Sequence, residues 1–168
     1  MRVFATSDLH TDFKENLRWL QELSDSAYRS DALIVAGDIS DRLEVIRETL
    51  QLLRGRFRHV LFTPGNHELW VRGADINSLE KFQQVIDLCD ELDITTQPLR
   101  LNDLWIVPLF SWYDSVFAPE MTEEAAAARR SWADFHFCKW PAEITSLPDH
   151  FLRLNEPHIK TYDAPVIS

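Results

Sequence analysis

Apolar positions along the chain follow two rhythms. Three short, nearly continuous runs, residues 3–6, 32–36 and 60–63, are rich in β-branched or aromatic side chains, and each stops at a polar cluster. Between them the apolar residues fall at helical spacing, with Phe13, Leu17, Leu20 and Leu23 on one face and Leu43, Ile46, Leu50 and Leu53 on another. Strand, helix, strand, helix, strand, with strands apolar throughout, predicts an α/β fold built on a parallel sheet covered on both faces. A further helix is expected over residues 77–92, with Leu79, Phe82, Ile86 and Leu88 or Cys89 inward.

Beyond residue 92 the pattern changes. Residues 94–99 and 104–109 read as strands, the second a candidate central strand ending at Pro108. Residues 122–130 favour helix behind a capping Thr122. Pro141, Pro148, Pro157 and Pro165 keep later helices short, and residues 149–155 are the best candidate among them. Residues 164–168 begin another strand. Rings crowd the stretch from Trp132 to Trp140; this reads as core or lid packing, with a ligand-stacking platform as the alternative. No repeat, low-complexity tract or linker interrupts the chain, so residues 1–168 are expected to form a single domain.

Composition narrows the classes. The chain has 168 residues, 45% of them apolar and 26% charged, enough for one globular domain with a sizeable core. A formal charge of −10 argues against the basic stripe that holds nucleic acid, and equally against an anionic membrane surface. No apolar run approaches the roughly 20 residues of a membrane span, and Met1 leads directly into the first strand, so the expected location is the cytoplasm. Cys89 and Cys138 lie far apart and outside any zinc-like spacing. They read as free thiols of a reducing compartment, a disulfide between them being the alternative.

The polar clusters carry the candidate chemistry. Asp8 and His10 follow the first run two residues apart, so on an extended backbone both side chains leave the same side of the chain. A carboxylate oxygen and an imidazole nitrogen converging there point to a divalent metal. In Gly37-Asp38-Ile39-Ser40-Asp41-Arg42 the glycine permits a turn and close backbone approach, and Asp38 has the reach of a ligand that two metals can share. In Pro64-Gly65-Asn66-His67-Glu68, Asn66 offers a neutral amide oxygen, and His67 can deliver or share a proton. Each cluster alone reads equally well as a turn. Three of them at the carboxyl ends of three parallel strands, where ligands gather, read as one site.

Asp8-x-His10, Gly37-Asp38-x-x-Asp41-Arg42 and Gly65-Asn66-His67-Glu68, in this order and spacing, resemble the first three signature blocks of the calcineurin-like metallophosphoesterase superfamily over residues 1–70. The resemblance implies an α-β-β-α sandwich and two divalent metal ions. Asp8 and His10 would bind the first ion, Asp38 would bridge both, and Asn66 would bind the second. His67 would hydrogen-bond a phosphoryl oxygen or protonate the leaving group, with Asp41 orienting it. Arg42 resembles the phosphate-contacting arginine of the phosphoprotein phosphatase branch, an exposed arginine at a helix start being the alternative. No tyrosine follows Asp38 within its block, which favours manganese, iron(II) or zinc over an obligate ferric centre. The implied activity is hydrolysis of a phosphomonoester or phosphodiester, in a small molecule or a phosphorylated partner.

The match is incomplete. The four glycines, Gly37, Gly55, Gly65 and Gly73, leave no Gly-His-x-His block, and His59, His136, His150 and His158 read as surface or core residues. Residues 164–168 resemble the family strand that leads into the missing histidine. The domain is therefore expected to be truncated at its carboxyl end and to hold a second ion poorly. A catalytically inactive interaction module on the same fold and a metal-dependent nuclease are the alternative readings. Substrate choice is expected to lie in residues 110–140.

Overall fold

The computed structural model describes residues 1–73, 75–113, 123 and 131–168. Strands β1 (Val3–Thr6), β2 (Ala32–Ala36) and β3 (His59–Thr63) form a parallel sheet in that order, joined by helices α1 (Lys14–Gln21) and α2 (Leu43–Arg54). Side chains alternate across the strands, which explains their unbroken apolar sequence. Leu33, Val35, Val60 and Phe62 pack beneath the helices with Leu20, Ile46, Leu50 and Leu53. Ala32, Ile34 and Leu61 face the other way, against Leu99, Leu101, Leu104 and Ile106 of a second sheet. The sheet is covered on both faces as expected, and one cover is another sheet, as in the sandwich that the family resemblance implies.

That second sheet comprises β4 (Leu99–Leu101), β5 (Leu104–Ile106) and β6 (Val166–Ile167). The strand expected over residues 104–109 is its centre, antiparallel to β4 and parallel to β6. The strand expected over residues 94–99 is reduced to a bridge at Thr95, whose N–H donates to the Val60 carbonyl at 2.9 Å and whose carbonyl accepts from Phe62 at 2.9 Å. Pro98, with no N–H to give, interrupts any continuation, and pairing resumes only at Leu99.

Helix α3 (Ser78–Glu91) starts at a capping box. Asn77 Oδ1 accepts from the N–H groups of Leu79 and Glu80 at 2.9 and 3.0 Å, and Glu80 Oε2 accepts from the Asn77 N–H at 2.7 Å. Its Val85, Leu88 and Cys89 complete the main core, while Phe82 joins Phe110 and Phe151 in a smaller one. Two short helices follow: α4 (Asp134–Phe137), and α5 (Leu147–Asn155), which is capped by Ser146 and carries Pro148 in its first turn. The helix expected over residues 122–130 lies outside the described residues. Phe13 departs from the predicted face. It is the N-cap of α1 and is 60% exposed, with its ring edge-on to His10. Both cysteines are free, and burial pushes each thiol up to about 12. Among the described residues no helix is long and apolar enough to cross a membrane.

Candidate active site

The loops that leave β1, β2 and β3 lie side by side at the carboxyl end of the first sheet. Three backbone bonds join the first two loops: Asp8 N–H to the Gly37 carbonyl (3.2 Å), His10 N–H to the Asp38 carbonyl (3.0 Å) and Thr11 N–H to the Ile39 carbonyl (3.2 Å). The backbone there is not extended, as the Asp8-x-His10 spacing supposed. Asp8, His10 and Asp38 adopt left-handed conformations, with φ of 53°, 40° and 60°. Asp and His accept this region more readily than bulkier residues, and the turns send Leu9 and Ile39 into the core while leaving Asp8 exposed and His10 and Asp38 half-buried. Strain of this kind is found where a site needs particular groups in particular places.

The second and third loops meet at two glycines. Gly37 has φ of 71°, and a Cβ built on it would lie 2.6 Å from the Gly65 Cα; a Cβ on Gly65 would run into the Asp38 carboxylate, 2.9 Å from its Cγ. Glu68, fully buried, ties the two loops together. One of its oxygens accepts from the N–H groups of Asp38 (2.9 Å) and Gly65 (2.7 Å), the other from those of Ile39 (2.6 Å) and Ser40 (3.3 Å). Burial pushes the Glu68 carboxyl up from its usual range, and these backbone donors oppose that shift by favouring the ionised form.

His67 lies in the 3-10 turn His67–Leu69. Its N–H donates to Asp38 Oδ1 at 3.2 Å; its ring lies 3.7 Å from that of Trp70 and 4.7 Å from that of His10, centroid to centroid. Burial lowers its pKa from the ordinary imidazole value, against the pull of Asp38, and His10 reinforces the lowering. Asn66 gives its amide nitrogen to Asp134 Oδ1 at 2.8 Å, and Asp8 accepts from the Ser7 hydroxyl. Asp8, His10, Asp38, Asn66 and His67 are thus gathered at one end of one sheet.

Asp41 and Arg42 stand at the rim. The Asp41 carboxylate lies 3.1 Å from Arg72 Nε, and among the described residues no hydrogen bond joins it to His67. The orienting contact expected between them is therefore not formed. Arg72, stacked over Trp70 and Phe137 at 4.7 and 4.1 Å, takes the carboxylate, and the His67 ring lies against Trp70 instead. Arg42 is the exposed N-cap of α2 and lines a cleft of about 450 Å³ with Asp12, Asp41, Arg72 and Lys81.

Among the described residues no three His, Cys, Asp or Glu side chains already close around one point. Asp8 and Asp38 are each engaged by a neighbouring donor, from Ser7 and from the His67 N–H. The donor set nonetheless fits divalent ions: two carboxylates that only accept, one imidazole, and an amide whose nitrogen is held elsewhere, so that its oxygen remains to ligate. His59 opens β3, at the end of the sheet away from these loops, and His158 is buried against Gln97 at 2.7 Å.

Two residues with structural weight here carried no expected role. Glu68 precedes the apolar run Leu69-Trp70-Val71, and Asp134 sits among the rings between Trp132 and Trp140. An acid in apolar company was the signal available for both.

Residues 1–120 match the model of a protein family described as calcineurin-like phosphoesterase. A protein named [Acyl-carrier-protein] phosphodiesterase PptH, from Mycobacterium tuberculosis (strain ATCC 25618 / H37Rv), is 39% identical over 132 residues, which make up 70% of this chain and 39% of that protein. The crystal structure of Phosphopantetheinyl Hydrolase (PptH) from Mycobacterium tuberculosis superposes with a TM-score of 0.79 at 28% identity, covering 98% of this chain and 66% of that one. The chain thus spans less than two thirds of either protein.

Proposed function

We propose, on the premise that this chain belongs to the calcineurin-like phosphoesterase family, that it is an enzyme hydrolysing phosphodiesters with the help of two divalent metal ions. The observation that carries this reading is the gathering of Asp8, His10, Asp38, Asn66 and His67 on loops locked by Glu68. Asp8 and His10 would hold one ion, Asn66 the other, and Asp38 both. When bound, such ions supply Lewis acidity to the phosphoryl group and lower the pKa of water towards neutrality. Among the described residues this assignment gives three donor residues to one ion and two to the other, so the second would be held more weakly.

The remaining residues bind and orient. Burial lowers the pKa of His67 and so favours its neutral ring, which keeps one N–H to donate to a phosphoryl oxygen. Trp70 supports that ring, and Glu68 fixes the loops from which Asp38 and Asn66 project. Asp41 acts at the rim by holding Arg72, which, with Arg42, offers positive charge to an approaching anion.

A diester is favoured over a monoester because the named relative is a phosphodiesterase. We infer that the substrate belongs to the same class, a phosphopantetheinyl group joined to a carrier protein. A cleft of about 330 Å³ supports this. It runs from the Gly65-Asn66 turn between Trp112, Tyr113 and Trp132, and it can seat the organic arm of such a diester.

The test is hydrolysis by purified, chelator-stripped protein with and without Mn²⁺. Substrates are bis(p-nitrophenyl) phosphate, p-nitrophenyl phosphate, and a phosphopantetheinylated carrier protein followed by mass spectrometry. Mn²⁺ should restore cleavage of both diesters in preference to the monoester. Asp38→Asn should abolish ion binding and activity together. His67→Ala should lower turnover by about 10²–10⁴-fold with metal content retained. Cleavage of the monoester alone would overturn the diester preference, and ions bound with none of the three substrates cleaved would overturn the enzymatic reading in favour of an interaction module.

A further inference from the structure

We propose that Asp134 is a positioning residue for the metal centre, selecting the orientation of the Asn66 side chain in which its oxygen, rather than its nitrogen, is free to ligate an ion. This rests on the reading of Asn66 as a ligand. An ionised carboxylate only accepts hydrogen bonds, so the Asn66 atom 2.8 Å from Asp134 Oδ1 is the amide nitrogen, and the oxygen points away from Asp134. An asparagine without such a partner can present either end of its amide, and an NH₂ group cannot bind a cation.

Asp134 is itself held in place. It is 3% exposed at the start of α4, and the same Oδ1 accepts from Trp70 Nε1 at 2.6 Å, while Oδ2 accepts from the Tyr113 hydroxyl at 3.3 Å. Three donors from two segments, the two ends of the 3-10 turn after β3 and the stretch after β5, therefore meet on one buried carboxylate. That arrangement costs desolvation, which three donors offset together. Asp134 also links the indole under His67 to the Asn66 amide, so the proton-bearing side and the ion-binding side of the site share one anchor.

The test reads ion binding directly, by calorimetric Mn²⁺ titration of the stripped protein without substrate. Asn66→Ala should lose the weaker ion. Asp134→Leu should weaken the same ion by about 10–100-fold, the usual effect of removing a partner that orients a ligand. The double variant should bind no worse than Asn66→Ala. Asp134→Asn, whose single carbonyl oxygen can still accept from Asn66 and Trp70, should retain most of the affinity. Wild-type affinity in Asp134→Leu, or a double variant that holds its remaining ion more weakly than Asn66→Ala does, would overturn the inference. If Asn66→Ala keeps both ions, the ligand reading fails and this inference with it. If Asn66→Ala loses one ion and Asp134→Leu loses none, only this inference fails.

A measurement on the unaltered protein covers the case in which Asp134→Leu does not fold. In a ¹⁵N spectrum with Zn²⁺ bound, one Asn66 side-chain proton should be shifted by hydrogen bonding and slow to exchange. Two freely exchanging protons would refute the contact.

Discussion

Glu68 accepts four backbone N–H groups and donates to none, so an amide in its place must turn an NH₂ against two of them whichever way it faces. Glu68→Gln should therefore lower unfolding free energy by about 3 kcal/mol in denaturant titration, far more than an exposed Glu→Gln exchange. Asp31 makes a second residue-scale case. It is buried, and its carboxylate accepts from the Arg2 side chain and from the Arg2 N–H at 2.8 Å, which hold its pKa below the usual carboxylate value despite burial. A depressed folded value means that this stabilisation is fully present above the unfolded pKa, about 3.9, and is lost as pH falls through the folded one. Asp31→Asn should lower Tm at pH 7 and flatten the fall in Tm on acidification below about pH 4. At this scale the sequence exposed groups whose chemistry is their residue type. Asp8, His10, Asp38, Asn66 and His67 could be picked out because they close apolar runs. Glu68 and Asp134 could not be given roles, because those roles depend on which N–H groups folding brings to them.

The elements that matter most are the three loops, and their geometry was only partly legible. Their positions followed from the strand ends, but the left-handed turns at Asp8, His10 and Asp38 did not, since nothing in a two-residue spacing distinguishes an extended pair from two outward turns around a buried Leu9. Gly37 and Gly65 were legible as turn formers, though not as two backbones in contact. That contact predicts Gly37→Ala to cost about 2–4 kcal/mol, from the left-handed conformation plus the overlap with Gly65. Gly73 is the control: it has φ of 67° and a Cβ built on it meets no described residue within 4 Å, so Gly73→Ala should cost only the conformational part, about 1 kcal/mol. Comparable losses in the two variants, measured by thermal melts, would deny the close approach its energetic weight.

At the scale of the whole molecule the described residues form helices on a parallel sheet on a second sheet, and the amino-terminal half of that plan is written in its strand and helix periods. The second sheet was harder to read, because β4, β5 and β6 are two or three residues long and too short to show a period. The aromatic stretch is not uniform. Trp140 and Cys138 pack against a core with Phe151, whereas Trp132, 54% exposed and stacked on Tyr113 at 5.2 Å, walls the cleft beside Asn66. Trp132→Ala should accordingly raise KM for a carrier-linked diester by about tenfold while leaving kcat little changed. The Glu68 clamp also sets how this end of the molecule fluctuates. With one carboxylate serving amides of both loops, neither loop can open alone. Protection of the Asp38, Ile39 and Gly65 amides against deuterium exchange should rise and fall with a single rate, so an ion entering or leaving between these loops waits on one collective opening.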